Sequence, residues 1–102
     1  MEKLSDEETK RLYYQLGKEI EFLRCYSLKV LCDGEYQALF TKENFKPLHD
    51  VDDKLTVLKS KLEDRMFMKG FKWADTHVFY GHSQEIAPII KQTREQIARL
   101  DY

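Results

Sequence analysis

The stretch Arg65–Tyr80, RMFMKGFKWADTHVFY, carries apolar side chains at spacings that fit two faces of one helix. A wheel of 100° per residue divides them into two opposite groups: Met66, Trp73, His77 and Tyr80 on one side, and Phe67, Phe71, Ala74 and Val78 on the other. A surface helix of a small protein needs only one apolar stripe. The second face therefore predicts that this helix lies between neighbours or contacts a partner.

The residues before this stretch extend the predicted helix towards the N-terminus. Apolar side chains recur there at steps of three or four: Val51, Leu55, Leu58, Leu62 and Met66. Asp50 is the expected N-cap, and Gly81 is the expected end because glycine adopts the left-handed conformation of a helix stop. The segment 42–49, which contains Asn44 and Pro47, is predicted to be the main connection.

A leading helix is predicted from a capping box at Ser5–Glu8 to about Cys32, with Asp33-Gly34 as its stop. One apolar stripe runs along it, formed by Leu12, Leu16, Ile20, Leu23, Val30 and Leu31. Gly17 interrupts this helix and costs about 1 kcal/mol relative to alanine unless another backbone packs against it.

Two further helices complete the predicted fold. Glu35–Thr41 is predicted to form a short helix, and the last helix is predicted to begin at Ser83 or Ala87, with Pro88 tolerated near its first turn. The last helix carries a heptad seam: Ile86, Ile90, Thr93, Ile97 and Leu100. The sequence thus predicts an all-α fold, a small antiparallel bundle of three main helices plus one short helix, forming a single domain over residues 1–102.

Composition narrows the classes of function. The 102 residues include 17 Lys and Arg against 18 Asp and Glu, so overall charge gives no hint of a nucleic acid or an acidic membrane as partner, and near-neutrality mildly favours self-association. No apolar run approaches the ~20 residues of a membrane span, and the acidic first ten residues do not resemble a secretion signal. Cys25 and Cys32, seven apart in one predicted helix, are interpreted as unpaired thiols of a cytoplasmic protein.

Metal binding, cofactors and catalysis are not expected. Four residues with metal-ligand chemistry surround the predicted helix end: Asp75, His77, His82 and Glu85. Their two histidines are five apart across a glycine, which is not the i, i+4 spacing that places two imidazoles on one helical face. The sequence shows no nucleophile or phosphate-loop motif; a pair between His77 and Cys25 or Cys32 stays open, although thiols on an apolar stripe are usually inert.

A row of cations on the long predicted helix suggests one binding function. Lys61, Arg65, Lys69 and Lys72 fall within about 80° on the wheel, beside Trp73. Cations in a row track phosphates and an aromatic ring stacks on bases, so this stripe is a candidate polyanion-binding site and nucleic-acid binding is the alternative function. Acidic residues of the same helix weaken its positive field.

Protein–protein association is the function that the sequence favours. Aromatic residues and methionine are enriched at interface centres, and the candidate contact residues are Phe67, Met68, Phe71, Trp73 and Val78. The other predicted helices provide little surface to cover both apolar faces of the long predicted helix that contains residues 65–80. We therefore expect another protein as partner and a homodimer, with residues 67–78 or the 86–100 seam as the contact.

Part of the same stretch resembles a protein family. Phe67-Met-Lys-Gly70-Phe71-Lys-Trp-Ala74 resembles the F-x-x-G-F-x-x-G/A signature of short uncharacterised helical proteins of Firmicutes and their mobile elements, over roughly residues 51–80. Ala74 stands where that family usually has glycine. Independently of the resemblance, the pattern predicts that Gly70 permits a close helix approach. The resemblance implies a phage or mobile-element context and no particular activity. A small inhibitor or adaptor that docks on a host complex would fit that setting.

Overall fold

Three long helices form the fold in residues 4–100, the part of the chain that the computed structural model describes. They are α1 (Asp6–Leu31), α2 (Lys42–Met68) and α3 (Ser83–Ala98). No strand occurs between residues 4 and 100, so the predicted all-α bundle is confirmed. Residues 1–3 and 101–102, the ends of the predicted domain, lie outside the described residues.

The predicted limits of the first helix are confirmed. The Ser5 hydroxyl accepts a hydrogen bond from the Glu8 amide at 3.2 Å, and three acidic residues in the first turn suit the positive end of the helix dipole. The helix ends at Leu31, where the Cys32 amide donates to the Leu28 carbonyl.

The predicted connection at residues 42–49 is wrong, because α2 begins at Lys42 rather than after Asp50. Thr41 and Asn44 form a reciprocal cap: the Asn44 amide donates to the Thr41 hydroxyl at 3.2 Å, and the Thr41 amide donates to the Asn44 side chain at 2.6 Å. Pro47 lies inside the helix and is exposed, so water can satisfy the carbonyl that its missing amide would have served. The predicted short helix is a 3-10 turn at Tyr36–Leu39.

The helix predicted through Arg65–Tyr80 is also wrong. α2 ends at Met68, and Gly70 follows with a φ of 71°, the left-handed conformation typical of a residue just past a helix end. Residues 69–82 form an irregular segment, called here the crossing loop, with one 3-10 turn at Thr76–Val78 capped by the Asp75 side chain. Gly70 therefore ends a helix and does not permit a close helix contact; a Cβ there would meet nothing within 4 Å.

α1 is the central helix, with α2 on one flank and α3 on the other. Glu21 bonds Lys59 and Arg24 pairs with Asp52, so α2 runs antiparallel to α1. Ser83 near Glu21 and Arg94 beside Asp33 show that α3 runs in the direction of α1.

The crossing loop packs against α1 at Gly17, the position where that helix carries no side chain. A Cβ on Gly17 would lie 2.0 Å from the Val78 carbonyl oxygen, so only glycine admits the loop backbone here. Another backbone does pack on Gly17, which is the condition that the sequence analysis set for glycine to be favoured here. This contact seats the buried core, formed by Ile20, Met66, Val78 and Phe79.

The molecule is elongated for its size. Its Cα radius of gyration is 16.6 Å, whereas a compact domain of this length has about 13 Å. Within residues 4–100 no helix combines the length and the apolar character needed to cross a bilayer.

Candidate functional site

One side of the α1–α2 hairpin exposes leucine and valine side chains. They are Leu12, Leu16 and Leu23 of α1 and Val51 and Leu58 of α2, called here the open face. Leu23 is 53% exposed and Leu58 42%, although both belong to the apolar stripes of their helices. Large apolar side chains left in water in a contiguous set mark an interaction surface.

The open face lies on the side of the hairpin opposite the crossing loop. On the helical wheel of α1, Gly17 and Leu23 lie on opposite sides of the buried Ile20, each about 60° from it. Gly17 contacts the crossing loop, whereas Leu23 is exposed. On the helical wheel of α2, Thr56 and Leu58 lie on opposite sides of the buried Met66, each about 80° from it. Thr56 lines a small cavity together with Gly81 of the crossing loop, whereas Leu58 is exposed. Because the two helices are antiparallel, both exposed sets turn to the same side.

Exposed cations border the open face on α2. Lys61, Arg65 and Lys69 lie with Leu58 and Leu62 around one shallow hollow on the helix surface. Within residues 4–100 none of these three cations forms an ion pair at 4.0 Å or less. Lys69 is the C-cap of α2 and Lys72 lies further along the crossing loop, so only Lys61 and Arg65 of the predicted polyanion stripe lie on the helix itself.

The five predicted contact residues do not form one surface. Val78 is fully buried in the core, and Phe71 and Trp73 are half-buried and stacked on each other, with ring centroids 4.6 Å apart. Phe67 is 47% exposed and Met68 87% exposed at the end of α2. The interpretation of this stretch as a helix with two apolar faces is therefore corrected: much of its apolar surface folds back onto α1.

Tyr13 of α1 receives the folded-back aromatic residues. Its ring centroid lies 5.7 Å from that of Trp73, 6.2 Å from that of Phe71 and 6.0 Å from that of Phe79. Such tilted and edge-on pairs stabilise beyond the area they bury. The aromatic residues of the crossing loop thus fasten it to α1.

A buried polar cluster holds the hairpin together on the loop side. Glu21 accepts hydrogen bonds from Lys59 Nζ at 2.9 Å, from the Ser83 hydroxyl at 3.1 Å and from the Cys25 thiol at 3.4 Å. Lys59 Nζ also lies 4.1 Å from the centroid of the Tyr80 ring. Three segments of the chain, α1, α2 and the start of α3, meet at this one carboxylate, and the crossing loop reaches the cluster through Lys59.

The electrostatics of this cluster favour a structural role. Burial alone would raise the pKa of the Glu21 carboxyl, but the hydrogen bonds from Lys59, Cys25 and Ser83 and the charge of Lys59 outweigh it and lower the pKa below its usual value. Burial, followed by the hydrogen bond to Glu21, raises the pKa of the Cys25 thiol. A thiol held protonated is a poor nucleophile, so the cluster supplies no activated cysteine.

The four residues with metal-ligand chemistry near the predicted helix end, Asp75, His77, His82 and Glu85, do not come together as a group in the structure. His77 and His82 have ring centroids 5.0 Å apart, but His82 is buried with its Nε2 on the Val78 carbonyl at 2.9 Å. Among residues 4–100 the ligand atoms of His, Cys, Asp and Glu approach within 4.8 Å of one another as a group of three only at His49, Asp50 and Asp53, on α2. Exposed acidic groups cluster this way without a metal.

Both thiols are free in the structure. Cys32 is exposed just past the end of α1, while Cys25 is half-buried beside Glu21. The Cys25 thiol lies beside the carboxylate of Glu21. A negative neighbour disfavours the thiolate, whereas an activated cysteine needs electropositive surroundings.

Comparison with protein-family models, curated proteins and solved structures gave no match.

Sequence reasoning missed the buried Glu21–Lys59 pair. Both residues are charged, and charged side chains normally face water. A signal was present, since Glu21 follows Ile20 and precedes Arg24 on the side of α1 that carries Gly17. That side of α1 can be recognised as a contact surface only when the elements that pack against it are known.

Proposed function

We propose that this chain is a non-enzymatic helical protein that acts by protein–protein association, with the open face as its contact surface. The observation that carries the proposal is the amount of surface left uncovered. The chain has an accessible surface of 8121 Å², whereas a compact monomer of its mass has roughly 6,100 Å². The surplus of about 2,000 Å² exceeds the ~800 Å² that each partner buries in an interface of standard size.

An adaptor or inhibitor role fits this picture best. Such a protein needs a rigid surface and no reactive group, and the buried cluster at Glu21 stiffens the hairpin that presents the open face. A cytoplasmic setting belongs to the same proposal and is supported by the two free thiols. A phage or mobile-element origin is supported by the resemblance of residues 67–74 alone.

Site-specific photo-crosslinking tests the proposed function. A photoreactive amino acid replaces Leu23 or Leu58 on the open face, and the matched control replaces Gln84, an exposed residue at the start of α3. In cells that produce the protein, we expect covalent adducts from the two open-face positions and none from the control. No adduct from either position, or equal adducts from all three, would contradict the proposal.

Nucleic-acid binding is the second candidate, and the unpaired cations Lys61, Arg65 and Lys69 favour it. Phosphate contacts release counterions, so affinity would fall steeply with salt, and Lys61→Glu/Arg65→Glu would abolish binding. A titration of labelled single-stranded and double-stranded DNA at two salt concentrations measures both effects. Binding that is undetectable at low salt removes this candidate.

A further inference from the structure

We infer that a second copy of this chain covers the open face, so that two α1–α2 hairpins form a four-helix bundle around a two-fold axis parallel to the helices. This inference rests on the proposed function and adds the identity of the partner. Three features of one chain point to it: the direction of its apolar stripes, the size of its uncovered surface and the charges that border the open face.

The apolar stripes of both helices point diagonally, between the partner helix and the open side. On α1, Ile20 is buried while Leu16 and Leu23, about 40° and 60° away on the wheel, are exposed. On α2, Met66 is buried while Leu58, about 80° away, is exposed. The apolar stripe of a helix that packs against one neighbour faces that neighbour. The stripes of α1 and α2 instead face the position that the centre of a four-helix bundle would occupy if two more helices were added.

The chain as a whole exposes enough surplus surface to supply the contact that such a bundle needs. Stable homodimers bury about 1,000 Å² or more from each copy. The surplus of about 2,000 Å² over a compact monomer, derived from the accessible surface of 8121 Å², provides for that loss. Half-buried Leu55 and Leu62 lie along the same stripe of α2 and would complete the new core.

The charges at the two borders of the open face are complementary. Glu8 and Glu19 lie beyond Leu12 on α1, and Lys61 and Arg65 lie beyond Leu58 on α2, all four exposed. Within residues 4–100 none of them forms an ion pair. The acidic border of one copy therefore matches the basic border of another.

The two-fold axis brings Glu19 of one copy close to Lys61 of the other. It places α1 of one copy on α2 of the other, antiparallel and at the same height as in the hairpin. The Glu21–Lys59 bond sets that height, so Glu19, two residues earlier, comes level with Lys61, two residues later. Opposite charges at such flanking positions select the partner and its orientation. A face that carries both signs is complementary to itself, as an isologous contact requires.

Charge reversal at one border at a time tests the inference. The acidic-border variant is Glu8→Lys/Glu19→Lys, and the basic-border variant is Lys61→Glu/Arg65→Glu. Light scattering of the purified wild-type chain should give twice the 12.2 kDa chain mass. Each variant alone puts like charges together, and we expect its dimer dissociation constant to rise about a hundredfold.

Mixing the two variants gives the decisive measurement. In a mixed pair both contacts again join opposite charges, so an equimolar mixture should recover the dimer mass that each variant alone has lost. The controls Glu7→Lys/Glu95→Lys and Lys10→Glu/Lys91→Glu make the same charge changes at exposed positions away from the open face and should stay dimeric. Circular dichroism verifies that each variant keeps its helices, and Leu16→Gln/Leu58→Gln should also be monomeric.

The inference is overturned if the wild-type chain is a monomer at every concentration, or if both border variants and the Leu16→Gln/Leu58→Gln variant remain dimers. A monomer that still crosslinks from Leu23 to a different protein would refute the second copy and leave the proposed function standing. A monomer without any adduct would refute both.

Discussion

The two sides of the α1–α2 hairpin are built in opposite ways. On the loop side, a buried carboxylate, a lysine and a glycine contact fasten the crossing loop and the start of α3. On the open face, the same two helices leave leucine side chains in water. This difference supports the proposed association, because the contacts on the loop side hold the two helices together while their leucine side chains stay exposed.

The largest expected effect breaks the loop side. Lys59→Met leaves the buried carboxylate of Glu21 without its main partner, and removing one member of a buried ion pair costs about 3–5 kcal/mol of unfolding free energy. The matched control is Lys61→Met, two residues further on and exposed, which should change stability by about 0.5 kcal/mol or less. Urea unfolding in dilute solution, followed by circular dichroism, measures both; equal losses would show that the buried pair is not special.

A smaller effect is expected where the loop meets α1. Gly17→Ala would place a methyl group 2.0 Å from the Val78 carbonyl oxygen, so the loop must shift at a cost of about 1–3 kcal/mol. Gly34→Ala is the control, since its new Cβ would meet nothing within 4 Å. The difference in thermal midpoint between the two variants measures the contact. If the alanine at position 17 is tolerated as well as that at 34, the close approach does not exist in solution.

The pH dependence of stability should also come from the loop side. Because the pKa of Glu21 is lower in the folded chain than in the unfolded chain, its contribution is present at neutral pH and is lost as pH falls through the folded pKa. Urea unfolding from pH 7 down to pH 3 should show a steeper loss for the wild type than for Glu21→Gln. Parallel curves would assign the acid sensitivity to other carboxyls.

The smallest expected effect distinguishes the two thiols and leaves the fold intact. Cys32 is exposed and should react rapidly with a thiol reagent, whereas Cys25 should react slowly because it is half-buried and its pKa is raised. Single variants Cys25→Ser and Cys32→Ser assign the two rates, and labelling in urea should make them similar. Rapid native labelling of Cys25 would reopen a catalytic role for it.

Much of the fold was predictable from local patterns. Ser5 and Asp33-Gly34 mark the ends of α1, and periodic apolar residues identify the body of α2 and the last helix. The start of α2 was not predicted because Asn44 and Pro47 indicated a connection, whereas Thr41 and Asn44 form a cap whose two reciprocal bonds stabilise the first turn. A capping box with asparagine in place of glutamate is easily overlooked.

The error at residues 69–82 has a different physical cause. Aromatic residues at i, i+3 and i+4 spacing fit a helix, but Gly70 favours a left-handed stop and the Asp75 side chain caps a new turn. Periodicity therefore competed with two local stop signals, and tertiary packing on Tyr13 and Gly17 decided the outcome. The sequence predicted surplus apolar surface on residues 67–78 or on the 86–100 seam. The exposed leucines of α1 and α2 are a different set, and only the packing of the hairpin locates them.

The aromatic stack on Tyr13 gives this protein an internal optical probe. The chain has a single tryptophan, and Trp73 lies in the crossing loop in contact with both Tyr13 and Phe71. Its fluorescence therefore reports whether the loop is seated, independently of how much helix the rest of the chain retains. Time-resolved emission can thus separate detachment of one segment from melting of the whole.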